Sequence, residues 1–262
     1  MSKRFDAIVI GGGLAGAACA KFATDKNLSV LLLERSQGPG MKVCSEGCPC
    51  SVSEIMDLAP FVVNKIRGGR VFVDDELIQE IPRSKTVGYI IDRQGLCNWF
   101  CKELIEKGSR AQFQTKIVSV SKNIVTTAKG ETFEGRYIVF ADGTNTIARH
   151  AFDFDEYETS MALQYLVSGC DLERHDFVSL HLFSKDLGFG WVFPLSARLA
   201  HVGASCERAS KVKQLVDGLL SMPGVKGGRI QSLRGARMFS SGILPSIVNE
   251  KLGYLVCGDA VG

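Results

Sequence analysis

The chain has 262 residues, 45% of them hydrophobic and 23% charged, with a mean hydropathy of +0.10. That is the composition of a folded globular chain and excludes a disordered or collagen-like one. Lys and Arg exceed Asp and Glu by only three, 31 against 28, and the basic residues are spread along the chain, which argues against nucleic-acid binding.

The N-terminus reads as strand, turn, helix, strand. Residues 7–10 (AIVI) form a short apolar run of the kind found in buried parallel strands. Three glycines follow, then an Ala-rich helical stretch over 15–23, then a second buried strand over 30–33 that ends in Glu34. Residues 36–50 are irregular, and a long loop in a compact domain is more often functional than idle. Residues 68–81 predict a hairpin turning at Asp74-Asp75. A helix is expected over 92–107, with Asp92 as N-cap and Leu96, Trp99, Phe100 and Leu104 on one face. Short strands are expected at 112–114, 117–120, 124–127 and 137–140, and an antiparallel set over 161–206. A helix over 209–221 and a closing strand over 254–257 complete the pattern.

Gly11-Gly12-Gly13-Leu14-Ala15-Gly16 fits G-x-G-x-x-G between a buried strand and a helix. Gly11 permits the tight turn, Gly13 lets the backbone approach a pyrophosphate, and Gly16 allows close helix–strand packing at the positive helix end. Glu34 closes the unit with a carboxylate for the ribose hydroxyls. It would repel a 2′-phosphate, so the expected ligand is FAD or NAD rather than NADP.

Three short segments choose between these two. Residues 254–260 (YLVCGDA) resemble the second flavin motif of the para-hydroxybenzoate hydroxylase-like flavoproteins, in which the aspartate holds the ribityl chain of FAD. Residues 139–143 (VFADG) resemble their Asp-Gly motif, and Ile91-Asp92-Arg93 their flavin-contacting arginine segment. Together with the glycine turn these imply FAD. Within that class the chain resembles the geranylgeranyl reductase family. Residues 189–194 (FGWVFP) are similar to the family's Tyr-x-Trp-x-Phe-Pro motif, with Phe189 in the tyrosine position. Residues 42–47 (KVCSEG) are similar to its Cys-Gly-Glu-Gly loop beside the flavin. Residues 162–165 (ALQY) and 242–245 (GILP) fit in order.

The resemblance implies a flavoenzyme that saturates isoprenoid double bonds of a lipid or its diphosphate precursor, by hydride from reduced FAD and a proton from elsewhere. By analogy with the family, the cofactor contacts are Gly11, Gly13, Ala15, Gly16, Glu34, Arg35, Cys44, Ser45, Gly47, Arg93, Ile117, Asp142, Gly258 and Asp259. Solvent, Cys44 or Tyr165 is expected to give the proton. Phe189, Trp191 and Phe193 alternate along one strand and, with Pro194, are expected to wall an apolar substrate site. No second dinucleotide fingerprint is read, so electrons are expected from NAD(P)H binding transiently or from a ferredoxin.

Nine cysteines, an odd number in a long chain with no signal peptide read, fit reduced thiols and a cytoplasmic protein. Peripheral membrane contact stays open, because the longest apolar stretch, 7–23, is broken by glycines and Lys21 and does not read as a span. Cys44, Cys48 and Cys50 match no zinc spacing, so no metal is expected. Cys97 and Cys101, four apart, read as packing residues. The alternatives are a flavin monooxygenase or halogenase, which the single tryptophan of the 189–194 segment disfavours, and a non-catalytic flavin- or lipid-binding fragment.

The expected fold is α/β: a discontinuous Rossmann-like FAD domain (1–63, 92–150 and 237–262) with an inserted, mostly antiparallel substrate sheet (64–91 and 151–236). The chain stops inside the second flavin motif, so a truncation is also expected.

Overall fold

The computed structural model describes residues 4–152, 158–240 and 247–261. In chain order these fold as β1 (Arg4–Ile10), α1 (Leu14–Asp25), β2 (Val30–Leu33), β3 (Gly47–Pro49), β4 (Val62–Ile66), β5 (Gly68–Val73), β6 (Glu76–Pro82) and β7 (Gly88–Ile91). Then follow α2 (Arg93–Glu106), β8 (Arg110–Gln112), β9 (Ile117–Ser121), β10 (Ile124–Thr127), β11 (Thr132–Phe140), α3 (Arg149–Phe152), β12 (Thr159–Ser168), β13 (Phe177–Phe183) and β14 (Gly188–Ser196). The chain finishes with β15 (Leu199–Cys206), α4 (Ala209–Leu219), β16 (Arg229–Phe239), β17 (Val248–Asn249) and β18 (Tyr254–Val256).

The chain divides into two compact units, Met1–Lys42, Arg93–Glu158 and Phe239–Gly262 in one, Val43–Asp92 and Thr159–Met238 in the other. The first is a Rossmann-like α/β layer with sheet order β17-β18-β11-β1-β2-β8, extended by β9 and β10. Strands β1, β2, β8, β11 and β18 run parallel. All four residues of β2 are buried, as a strand covered on both faces requires. Ile8, Ile10, Leu31, Leu33, Ile138, Phe140 and Tyr254 are part of one apolar core.

The second unit is a seven-stranded sheet, order β16-β12-β15-β14-β13-β5-β6, beside a small sheet β3-β7-β4. The contacts of β12, β14 and β15 are antiparallel, and β13 joins β5 in parallel. Helix α4 covers one face, packing Val216 and Leu219 against Tyr165, Val167, Val192, Val202 and Ala204.

The division differs from the expected one at four places, the smallest being Asp92, which falls in the second unit. Residues 43–63 fall in the second unit, because β3 and β4 both pair with β7. Residues 151–158 fall in the first, where Phe152 packs on Phe140 and Tyr254. The last boundary lies at 239, where the long β16 ends. The strand expected at 112–114 lies at 110–112, where it pairs with β2. The segment 242–245 lies outside the described residues.

Candidate active site

In the first unit, the turn after β1 is shaped by its glycines. Gly11 sits at φ +107°, and a Cβ there would fall 2.3 Å from the carbonyl oxygen of Ala141. A Cβ on Gly16 would lie 1.9 Å from the Gly11 oxygen, so α1 approaches β1 only because residue 16 has no side chain. Gly13 is different: no atom of the described residues lies within 4 Å of its would-be Cβ. Protein packing therefore does not demand glycine at position 13, and the open space is what a closely approaching ligand needs. Gly13 is the N-cap of α1, no side chain caps that end, and no acidic residue stands in the first turn. The helix end is left ready for an anion.

Glu34, at the end of β2, accepts Gly12 N–H at 2.6 Å on one oxygen and Ser36 N–H at 2.7 Å on the other. Each oxygen keeps a second lone pair for a ribose hydroxyl. Glu34, Arg35, Ile117, Asp142 and Gly11 line one narrow cleft of about 110 Å³. Asp142 accepts Ile147 N–H at 2.8 Å on Oδ2, while its Oδ1 is buried with no partner among the described residues. Burial pushes this carboxyl above the usual range.

Arg93 opens α2 and is buried. Its Nη2 donates to the carbonyls of Gly40, at 2.9 Å, and Lys42, so part of its work is to hold the 40–42 loop. Its Nε is buried without a partner among the described residues. Gly258 has φ +65°, and a Cβ on it would touch Ala15 at 2.6 Å, which brings the second motif against the first turn of α1. Asp259 pairs with Lys42 Nζ at 2.5 Å, and the same nitrogen reaches Thr144 Oγ1 at 3.3 Å. An open backbone cradle, two orphaned buried polar atoms and an uncapped helix end all fit a dinucleotide such as FAD.

Cys44, Ser45 and Gly47 belong to the second unit. There the aromatic strand β14 does alternate. Phe189 and Trp191 rings stand 5.7 Å apart, and Phe193 lies so close to Gly47 that a Cβ on the glycine would be 2.7 Å from its ring. Loop 44–47 therefore lies over this face. Pro194 corrects the expectation: it points to the opposite face and lines a cavity with Val192, Met222 and Val225.

Tyr165 is a second correction. Its hydroxyl donates to Asp217 of α4 at 2.6 Å, on the face opposite Trp191. Burial, then the Asp217 carboxylate, push the phenol above its usual value. It does not stand with the aromatic residues as a proton donor.

Three polar residues that sequence reasoning missed do face Trp191. Gln164 accepts the indole N–H at 3.0 Å on Oε1, and its Nε2 lies 3.0 Å from the Cys44 carbonyl oxygen and 3.1 Å from His201 Nδ1. His201 Nε2 lies 3.2 Å from Glu46 Oε2. The signal available was Gln164 itself, an amide within the mostly apolar run 161–167 of β12, next to the tyrosine that drew attention.

Phe193 also borders a groove of about 470 Å³ whose walls include Gly47, Gly69, Ile66, Ile90 and Val178, with Arg83 at its edge. Among the described residues the Arg83 guanidinium has no ion-pair partner. Of the cysteines, Cys97 and Cys101 are buried in α2, and burial, then Cys97, pushes Cys101 to about 12. Cys19 and Cys257 hydrogen-bond through their sulfurs, which draws Cys19 to about 7 and pushes Cys257 up. No described group of His, Cys, Asp and Glu could hold a metal, and no described helix is long and apolar enough to cross a membrane.

Residues 9–59 match the family model of the NAD(P)-binding Rossmann-like domain. The chain superposes over 99% of its length on a flavin-dependent brominase, covering 72% of that chain, with a TM-score of 0.77 at 18% identity. The chain therefore shares the fold of this flavin-dependent enzyme. A geranylgeranyl bacteriochlorophyll reductase-like protein from Thermoplasma acidophilum superposes better still. Its TM-score is 0.83 at 21% identity, over 100% of this chain and 72% of that one. Digeranylgeranylglycerophospholipid reductase of the same organism is 24% identical over 98% of this chain and 71% of its own length. Along nearly its whole length the chain is thus similar to proteins named as geranylgeranyl-type reductases.

Proposed function

We propose that this chain is a flavin-dependent reductase that saturates carbon–carbon double bonds in geranylgeranyl lipids or their diphosphates. The observation that carries this is the likeness to a digeranylgeranylglycerophospholipid reductase along nearly the whole chain. It is joined here by a dinucleotide turn in one unit and an aromatic, apolar face in the other.

Bound FAD would supply the hydride. The Gly11–Gly13 backbone and the α1 N-terminus would hold its pyrophosphate, Glu34 its ribose, and Asp259 and Arg93 the flavin half, with Ala15, Gly16, Gly258 and Asp142 shaping the cradle and Arg35 and Ile117 at the adenine side. Cys44, Ser45 and Gly47 would flank the ring system. An unactivated prenyl chain offers no hydrogen bonds, so it must be held by shape and by burial worth about 25 cal/mol per Å². Phe189, Trp191, Phe193 and the glycine-walled groove are suited to that, and Arg83 at the groove edge suits a phosphate-bearing head. With Tyr165 turned to the other face, Cys44 or solvent would give the proton. Electrons would arrive from NAD(P)H or a ferredoxin, and the lipid from a membrane surface.

The test is an anaerobic incubation of the flavin-loaded protein with dithionite and a geranylgeranyl lipid. A mass gain of two hydrogens per double bond is expected. Bound flavin with no mass gain would leave a binding protein, and oxygen-dependent conversion of an aromatic compound would make it a monooxygenase.

A further inference from the structure

We infer that Gln164, His201 and Glu46 form a positioning relay that fixes loop 44–47 over the Trp191 face, with His201 neutral and its proton on Nε2. The hydrogen-bond chemistry leaves one assignment. The indole N–H can only donate, so the atom of Gln164 that meets it at 3.0 Å is the amide oxygen. The amide nitrogen then faces the Cys44 carbonyl, which can only accept, at 3.0 Å. Its second N–H is directed to His201 Nδ1 at 3.1 Å. A proton on Nδ1 would set donor against donor, so Nδ1 carries a lone pair and the ring proton lies on Nε2. From there it is donated to Glu46 Oε2 at 3.2 Å.

The loop end is held to match. Glu46 has φ +66°, a backbone conformation that a side-chain-bearing residue rarely adopts without compensation. Its carbonyl accepts Ile91 N–H at 3.0 Å, and its own N–H donates to Cys44 Sγ at 3.3 Å. Gln164 and Trp191 are buried, so an amide left unpaired here would be costly and the chain of bonds is held as a set. The relay thus ties the cysteine loop to β12, β14 and β15 at once. None of these three residues need touch substrate. They act through Cys44 and Trp191, and the consequence for turnover rests on the reductase reading above.

The experiment uses the full chain labelled with ¹⁵N, His201 being assigned by the signals lost in His201→Gln. The wild type is expected to show His201 with Nδ1 unprotonated and Nε2 protonated. Glu46→Gln, whose amide oxygen still accepts from Nε2, is expected to keep that tautomer. Gln164→Leu is expected to lose it. The Ile91 amide, bonded to the Glu46 carbonyl, should exchange at least tenfold faster in Gln164→Leu and Glu46→Leu, with the β1 amides unchanged. In reduction assays these two variants should lose at least tenfold in kcat at constant KM, and Glu46→Gln should recover most of that loss. A wild-type His201 protonated on Nδ1, or averaging between tautomers, overturns the relay. So does Glu46→Gln exchanging as fast at Ile91 as Glu46→Leu. If even the wild type saturates no prenyl lipid, the reductase reading fails alone, since tautomer and exchange are read without turnover.

Discussion

Replacing Gly13 by alanine separates ligand binding from folding, and its neighbour in the motif supplies the contrast. Gly13 has φ −68° and ψ −178°, which alanine adopts freely, and its Cβ would meet no atom of the described residues within 4 Å. Alanine is a poorer N-cap than glycine by up to about 1 kcal/mol, while restricting the unfolded chain returns about 0.4–1 kcal/mol. Stability should therefore stay within about 1 kcal/mol of wild type. The added methyl occupies the open side where a pyrophosphate would approach, so flavin should bind at least tenfold more weakly, or about 1.4 kcal/mol. Gly16→Ala puts its Cβ 1.9 Å from the Gly11 oxygen, so α1 must move. Overpacking of this kind costs about 1–3 kcal/mol or more, and here stability and flavin should fall together. The assay is a urea midpoint paired with fluorescence titration of deflavinated protein. Wild-type flavin affinity in Gly13→Ala, or a stability loss there equal to that of Gly16→Ala, would refute the dinucleotide cradle.

Three further outcomes are expected. His181 is buried with neither ring nitrogen hydrogen-bonded among the described residues, and desolvation lowers it from 6.5 to about 4. The unfolded state therefore takes the proton first, and stability present above about pH 6.5 is lost as pH falls toward 4, by about 2 kcal/mol at pH 5. His181→Phe, which keeps the stack on Phe72, should flatten that slope in urea titrations at pH 7 and 5; parallel curves would count against it. Tyr165→Phe should lower stability by about 1.5–3 kcal/mol through the lost bond to Asp217, yet keep turnover within threefold. Abolished turnover in a folded variant would restore Tyr165 as proton donor. Glu34→Gln leaves one amide oxygen where two carboxylate oxygens now accept Gly12 and Ser36 N–H. One backbone donor loses its partner at a cost of about 1–3 kcal/mol, and melting of the apo-protein reads it without flavin.

The first unit was legible because its signals are local. Gly11, Gly13, Gly16 and Glu34 lie within one βαβ segment, and Gly11 and Gly16 each have a separate steric reason visible in the fold while Gly13 leaves open space. The aromatic strand was legible for the same reason: Phe189, Trp191 and Phe193 share a face by period alone. The small sheet of β3, β4 and β7 was not, since its strands are three to five residues long and their pairing joins segments some 40 residues apart. Residues 43–63 looked like an appendage of the nucleotide domain only because they follow it in the chain.

Tyr165 and Gln164 show where residue chemistry misleads without phase. They are adjacent on β12, so they must point to opposite faces, and tyrosine was chosen for its ionisable hydroxyl. A half-buried strand would have revealed its phase through polar and apolar alternation. β12 is covered on both sides: Gln164 and Tyr165 are both buried, so its sequence carries no such alternation. The face is fixed instead by pairing. Gln164 stands opposite Gly203, and Gly203 opposite Trp191. A Cβ on Gly203 would lie 2.2 Å from the indole, so glycine there is what lets Trp191 lie across the strand and reach Gln164. The residue that decides which of two neighbours joins the aromatic face is thus a glycine some 40 positions away, on β15.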